Sequence, residues 1–374
     1  MKSEPSHSSF FEDAIHVTPI DSHTYAAFLK KDWCIGVVPH GGYTASILYR
    51  TTAVHFANTH AARYKGSPPE ATTLQVTFLD RTSVGPAMLQ VQDVKIGGRI
   101  STIHVTLSQL PDSLLAKIAQ PDLAEYTRSN LDKLQPKQVA YITASPPETE
   151  SGPSATGAWS LHPPPPPGSK PDGAVDLPAL ARNSRDAGWE QYSFPGILRA
   201  IQQVRIYGPG PQYPASVEDR ARRGVDQWTR FCPGPTGPTG TRSGKVARWT
   251  NESVVFLMDT FPVASDRMCA MQLLQLRQLG RTRDPAEEAL GFEKLFWYPT
   301  LTMTIDLKTR IPAEGVEWLY TRVDTKMLRG GRADLEVVAL NEAGELVALG
   351  AQTALVVDAA RNFAQRAGPS IEKL

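Results

Sequence analysis

The run His40-Gly41-Gly42-Tyr43 is where this chain is best equipped to stabilise a negative charge. Neither glycine has a Cβ, so a ligand can approach the backbone closely. The segment YTASILYRTTAVHF, from Tyr43 to Phe56, carries apolar residues at helical spacing with no Gly or Pro inside, which predicts a helix starting near Tyr43. The first N–H groups of a helix lack intrahelical partners, and its dipole favours anions. A carbonyl placed there would have its developing oxyanion stabilised by ~2.7–4 kcal/mol per donor. The same glycines would also let the chain turn tightly into the helix. His40 can orient the loop, bind substrate or act as a base near neutral pH. A histidine beside a helix start also serves as a structural hydrogen-bonding residue.

Other reactive side chains are fewer. Asp306 interrupts the alternating strand TMTIDL, where a carboxylate is costly to bury without a partner; a solvent-facing edge position or a strand-end cap explains it too. Cys34 precedes His40 by a few residues, but nearness along a chain does not make a nucleophilic pair, and a small buried thiol is the simpler expectation. The sequence contains no GxSxG elbow, P-loop or HExxH, and no GxGxxG opens a βαβ unit.

The elements that must position these groups come in two sets. In the first half, Leu74, Val76 and Phe78 share one face of a strand, and Ile103, Val105 and Leu107 alternate with Thr102, His104 and Thr106. In the second half, TLTMTIDL (300–307) alternates like TLQVTFLD (73–80), and Gly330-Gly331-Arg332 precedes a strand as Gly97-Gly98-Arg99 does. The two pairs stand at nearly the same offset along the chain, which suggests an internal duplication. VDQWTRF (225–231) then reads as the opening strand of the second unit, and a helix starts near Asn251. Between the halves, 145–175 includes five consecutive prolines, Pro163 to Pro167, which favour an extended conformation and read as a linker or a segment draped over the surface. A second Gly/Pro stretch covers 232–244. One helix followed by antiparallel strands, twice over, is an α+β pattern.

WCIGVVPHGGYTASILYRTTA (33–53) resembles the opening of the double-hotdog proteins of the acyl-CoA thioesterase II type. FLDRTSVGPAMLQVQDVKIGGRISTIHVTLSQ (78–109) is similar to that family's first-domain strands. LTMTIDL, EWLYTRVDT, RGGR and GELVALGAQTALV follow in the family's order. The resemblance implies two fused hotdog domains, each an antiparallel sheet wrapped around a central helix. They are expected over 1–120 and 221–374, with a Pro-rich insertion containing some helix over 121–220, and with their sheets paired edge to edge. It implies thioester hydrolysis without a cofactor or metal, on acyl-CoA or a carrier-bound acyl chain. The family's water-holding Asp, Ser/Thr and Gln match Asp306, Thr325 and Gln352 here, opposite an oxyanion site at His40, Gly41, Gly42 and Tyr43. Arg99, Lys326, Arg329 and Arg332 are candidates for the CoA phosphates or a carrier surface. The sequence departs from the pattern where Leu307 replaces the usual His after the Asp, and the second half has no Gly-Gly before its helix. Two alternatives stay open: redirected biosynthetic chemistry (a dehydratase, isomerase or cyclase) and non-catalytic binding of an acyl ligand.

Composition narrows the rest. At 374 residues two domains are expected, and 41% apolar with 21% charged residues suffices for a large core. Three cysteines without CxxC spacing argue against a disulfide framework or a structural zinc–thiolate site. A formal charge of +1 gives no field for nucleic acid or an anionic membrane, and no apolar run suits a signal peptide or a membrane span. The expectation is a soluble, cytoplasmic protein, with room for homo-oligomerisation.

Overall fold

The computed structural model describes residues 8–115, 129–210, 222–235, 246–261, 296–358 and 360–363, with a few isolated positions between them. Among the described residues, fifteen strands form one antiparallel sheet. The first half supplies β1 (Val17–Pro19), β2 (Thr24–Leu29), β3 (Glu70–Phe78), β4 (Gly85–Lys95), β5 (Ser101–Gln109) and β6 (Gln135–Ser145). The second supplies β7 (Arg185–Asp186), β8 (Trp189–Gln191), β9 (Val204–Pro209), β10 (Val225–Phe231), β11 (Thr300–Leu307), β12 (Trp318–Asp324), β13 (Leu328–Arg329), β14 (Arg332–Leu340) and β15 (Leu346–Leu355). The spatial order is β1-β2-β4-β5-β6-β3-β11-β15-β14-β12-β10-β9-β8-β7, with β13 beside β14.

That order contains the duplication. Counting outward from the junction, β3-β6-β5-β4-β2 on one side matches β11-β15-β14-β12-β10 on the other. The halves meet edge to edge through β3 and β11, antiparallel, with Thr77 opposite Thr302 and Thr73 opposite Asp306. Pairing these edges removes two open edges that would otherwise invite association. The first sheet also extends past residue 120. Gln135–Ser145 lies within it, between β5 and β3, so part of the expected 121–220 insertion belongs to the hotdog itself.

Each half wraps a helix. In the first it is α1 (Gly41–Thr59), two residues earlier than the apolar pattern alone predicts. In the second it is α3 (Asn251–Leu257), opened by a reciprocal capping box between Thr250 and Ser253. The two pack against each other with Ser46 Oγ donating to Glu252 O (2.9 Å) and the Arg50 guanidinium 2.7 Å from the Glu252 carboxylate. Since Gly42 meets Phe256 and Asp259 while Ser46 meets Glu252, the helices run antiparallel. Both lie in one continuous core with the inward residues of the sheet, among them Leu74, Val76, Met303 and Ile305.

The Pro-rich segment is draped over the outer face of the second half-sheet and tied to it. Trp189 Nε1 donates to Pro166 O, and Arg322 Nη1 to Pro163 O. Together with α2 (Leu177–Asn183) it covers a second apolar cluster of Trp189, Tyr207, Trp318 and Tyr320. The Gly/Pro stretch at 236–244 and Cys269 lie outside the described residues. Cys34 and Cys232 are buried, and burial pushes the Cys34 thiol up to about 12, so it stays protonated.

Candidate active site

The start of α1 meets the end of α3. The Gly42 amide donates to Asp259 Oδ2 at 2.7 Å. Neither glycine takes a positive φ, so the pair is required by close approach, not by a turn. A methyl group at Gly42 would lie 2.7 Å from the Phe256 carbonyl oxygen and 2.8 Å from Asp259 Cβ. One at Gly41 would lie 2.7 Å from the Asp259 carboxylate and 3.3 Å from the Phe78 ring.

Asp259 stands just past the C-terminus of α3, an unfavourable place for a carboxylate with respect to that helix's own dipole. It is compensated by the N-terminus of α1 from the other half. Its side chain is only 8% exposed, and burial raises its pKa, against the opposing effects of His40, the Gly42 amide, Gln352 and Thr300. His40 Nδ1 lies 3.7 Å from Asp259 Oδ2, too far for a hydrogen bond, and has no hydrogen-bond partner among the described residues. Burial lowers the His40 pKa, which keeps the ring neutral, and the ring packs edge-on to Phe256.

Two side chains from the sheet complete the group. Thr300 Oγ1, at the start of β11, lies 3.5 Å from Asp259 Oδ1 and 3.5 Å from Gln352 Oε1. Gln352, on β15, is oriented by donating from Nε2 to Met258 O (3.0 Å) and towards Met303 Sδ (3.4 Å). With its amide nitrogen held there, the oxygen faces Thr300. The site therefore offers a carboxylate, a hydroxyl and an amide oxygen around one point, beside a helix N-terminus.

Of the residues matched by resemblance, Gln352, His40, Gly41 and Gly42 come together here. Asp306 and Thr325 do not. In β11, Met303 and Ile305 face the core, so Asp306, one residue out of phase, faces outward; its side chain is 40% exposed and paired with Lys308. A shift of one residue in a strand exchanges faces, and the motif match did not respect that phase. Thr325 is buried just beyond β12, with β14 between its strand and that of Gln352. The Tyr43 side chain is structural: it stacks on Trp33, donates to Ala14 O and accepts from the Lys30 amide. Asp259 and Thr300 were missed. The available signal was an acid after the apolar run Val254 to Met258, at the C-terminal end of its helix, where the dipole opposes it.

The family's N-terminal domain matches residues 29–119, and its C-terminal domain matches residues 165–356. The chain belongs to the acyl-CoA thioesterase family. Among its relatives, the thioesterase-like protein TwmA of Talaromyces wortmannii is 29% identical over 374 residues, covering 97% of this chain and 96% of TwmA. In fold it resembles a hot dog fold protein of unknown function from Alicyclobacillus acidocaldarius (TM-score 0.57, 15% identity, covering 94% and 98% of the two chains). It also resembles an acyl-CoA thioesterase II, TesB2, from Mycobacterium marinum (TM-score 0.51, 15% identity, covering 93% and 98%). The double-hotdog α+β architecture is thus that of the family.

The family's CoA-facing role was expected of four cations. Lys326, Arg329 and Arg332 are exposed on the one turn formed by β13 and the start of β14, where Lys326 pairs with Glu336. Arg99 is exposed on the equivalent turn of the first half and donates to Ser151 O. Among the described residues no helix is long and apolar enough to cross a membrane.

Proposed function

We propose that the protein hydrolyses an acyl thioester, of CoA or of an acyl carrier, at the junction of its two central helices. The observation that carries this reading is the convergence of Asp259, Thr300 and Gln352 on the N-terminus of α1. The thioester carbonyl rests against the first-turn amides of α1 beside Gly42, where the glycines let it approach. A water held by Thr300 Oγ1 and Gln352 Oε1 gives a proton to the Asp259 carboxylate as its oxygen attacks the carbonyl carbon. Charge develops on the carbonyl oxygen against the helix N-terminus, then the C–S bond breaks. The thiolate leaves and takes the proton from Asp259, giving a free acid and a thiol. Lys326, Arg329 and Arg332 supply cations for the phosphates of a CoA or carrier arm.

The test is free-thiol release from short, medium, long and aromatic acyl-CoAs by the wild type, Asp259→Asn and Asp306→Asn. Release by the wild type and Asp306→Asn, with a loss of at least ~10²-fold in Asp259→Asn, is expected. Equal rates in wild type and Asp259→Asn would overturn the mechanism. No release from any substrate would overturn the hydrolytic reading for CoA esters.

A further inference from the structure

The far end of α1 holds a second constellation that the hydrolytic site does not use. His55 Nε2 lies 2.8 Å from Asp93 Oδ1, His60 Nε2 2.8 Å from Asp93 Oδ2, and His23 Nε2 3.4 Å from the same oxygen. Three imidazoles thus aim the same ring nitrogen at one carboxylate. Ligand atoms of His23, His55 and Asp93 all fall within 4.8 Å of one another. The four residues come from three elements: the turn before β2, the C-terminal end of α1, and the inner face of β4 where its register with β5 slips.

The outer nitrogens of two of these rings are already engaged. Tyr25 donates its hydroxyl proton to Ser22 O (2.8 Å), and its oxygen lies 2.9 Å from His55 Nδ1. With Tyr25 accepting from its Nδ1–H, His55 can present Nε2 as a ligand atom, and without an ion its 2.8 Å distance to Asp93 is that of an ordinary hydrogen bond. His23 Nδ1 is likewise 2.9 Å from Ser22 Oγ. Partners on the outer nitrogen that orient the ring are what metal-binding histidines characteristically have. His55 is fully buried and His60 is 20% exposed, so the group combines a fixed floor with an open mouth.

We infer that His23, His55 and Asp93, with His60 beside them on the same carboxylate, form a site for a divalent transition cation of the zinc type. Imidazole and carboxylate ligands at about 2.0–2.2 Å suit such an ion, and a tetrahedral arrangement at those lengths sets ligand atoms roughly 3.3 Å apart. His23, His55 and Asp93 already hold one ligand atom each within 4.8 Å of one another, and His60 Nε2 lies 2.8 Å from the same carboxylate. Binding displaces any protons on the Nε2 atoms. The ion would pin the β2 turn and the end of α1 to β4. A 19-residue helix spans about 28 Å, so this site is structural and remote from Gly42.

The full chain, freed of any affinity tag and stripped of metal, would be titrated with Zn2+ by calorimetry and melted with and without the ion. Uptake of one equivalent with a rise in Tm is expected. Both should be lost in the His23→Ala/His60→Ala double variant, whose metal-free Tm stays near that of the wild type because both side chains are partly exposed. Thiol release by the wild type should be the same with and without the ion. No stoichiometric uptake by the wild type would overturn the proposal, as would undiminished uptake by the double variant. Should the variant not fold, the Co2+ spectrum of the wild type decides. Tetrahedral visible bands without a thiolate charge-transfer band support the histidine site; a thiolate band places the ion on cysteine and overturns it.

Discussion

The carboxylate of Asp259 accepts a 2.7 Å hydrogen bond from the Gly42 amide, so the C-terminal end of one central helix caps the N-terminal end of the other. The duplicated halves are therefore not equivalent in chemistry. One contributes amides and glycines, the other the acid. The glycine pair reads as a ligand-approach motif, yet what approaches most closely in this structure is the backbone and acid of the opposite helix.

A pH profile should show the burial of Asp259. Burial raises its pKa above the ordinary value of 3.8, and only its ionised form can take a proton from water. The acid limb of kcat/KM should therefore lie above pH 3.8, and be absent from any residual activity of Asp259→Asn. Stability runs the other way. A raised native pKa means that stability is fully present below 3.8 and is lost as pH rises through the native value. Asp259→Asn should thus melt no lower than the wild type at neutral pH, with the gap narrowing on acidification. A lower Tm for the variant at neutral pH would contradict this.

The fold was largely legible from the residues. The repeated TLQVTFLD and TLTMTIDL strands became equivalent edges of one sheet, and the glycine–arginine turns became equivalent turns before β5 and β14. Period-two alternation and glycine–arginine turns survive duplication, so both were readable. The acid was not. Asp306 lies in a strand that matches the family by type, but its side chain faces outward, and phase within a strand is fixed by pairing that a single sequence does not display. Asp259 acts across the interface between halves, on an amide 217 residues away. No local pattern encodes that contact.

Thr300 and Gln352 should act on turnover more than on binding. Thr300→Val and Gln352→Leu remove the two oxygens that hold the proposed water, and each should lower kcat by roughly 10- to 100-fold with little change in KM. Thr325→Val, which alters a residue two strands from Gln352, should keep near wild-type kcat. Steady-state kinetics on one good acyl-CoA would check all three. A deficit in Thr325→Val matching that of Thr300→Val would argue against the placement of the water.

The two glycines should separate function from stability. At Gly42 an added Cβ meets backbone at 2.7 Å, and helix α3 must move to admit it. Gly42→Ala should cost about 1–3 kcal/mol, the range for overpacking, read as a lower urea midpoint. At Gly41 the added Cβ meets the Asp259 carboxylate, which can rotate away more cheaply. Gly41→Ala should keep its urea midpoint more nearly and lose turnover, because the acid is displaced from its place.

A final prediction concerns the insertion. Arg322 grips Asp226 through two bonds, of 2.6 and 3.0 Å, with both side chains under 10% exposed, and Tyr320 also donates to Asp226. The same guanidinium donates to Pro163 O at 2.5 Å, which ties the proline run to the outer face of the sheet. Arg322→Met would leave the Asp226 carboxylate buried without its cation, and breaking such a pair from one side costs about 3–5 kcal/mol. It would also release the Pro163 anchor over Trp189 and Trp318. The variant should unfold at a clearly lower urea concentration, and limited proteolysis should cut it sooner within 145–175. Replacing both partners, as Asp226→Leu/Arg322→Met, removes the stranded charge, so much of the lost stability should return while cleavage in 145–175 stays fast. A double variant as unstable as Arg322→Met alone would show that the anchor at Pro163, not the buried charge, dominates the loss.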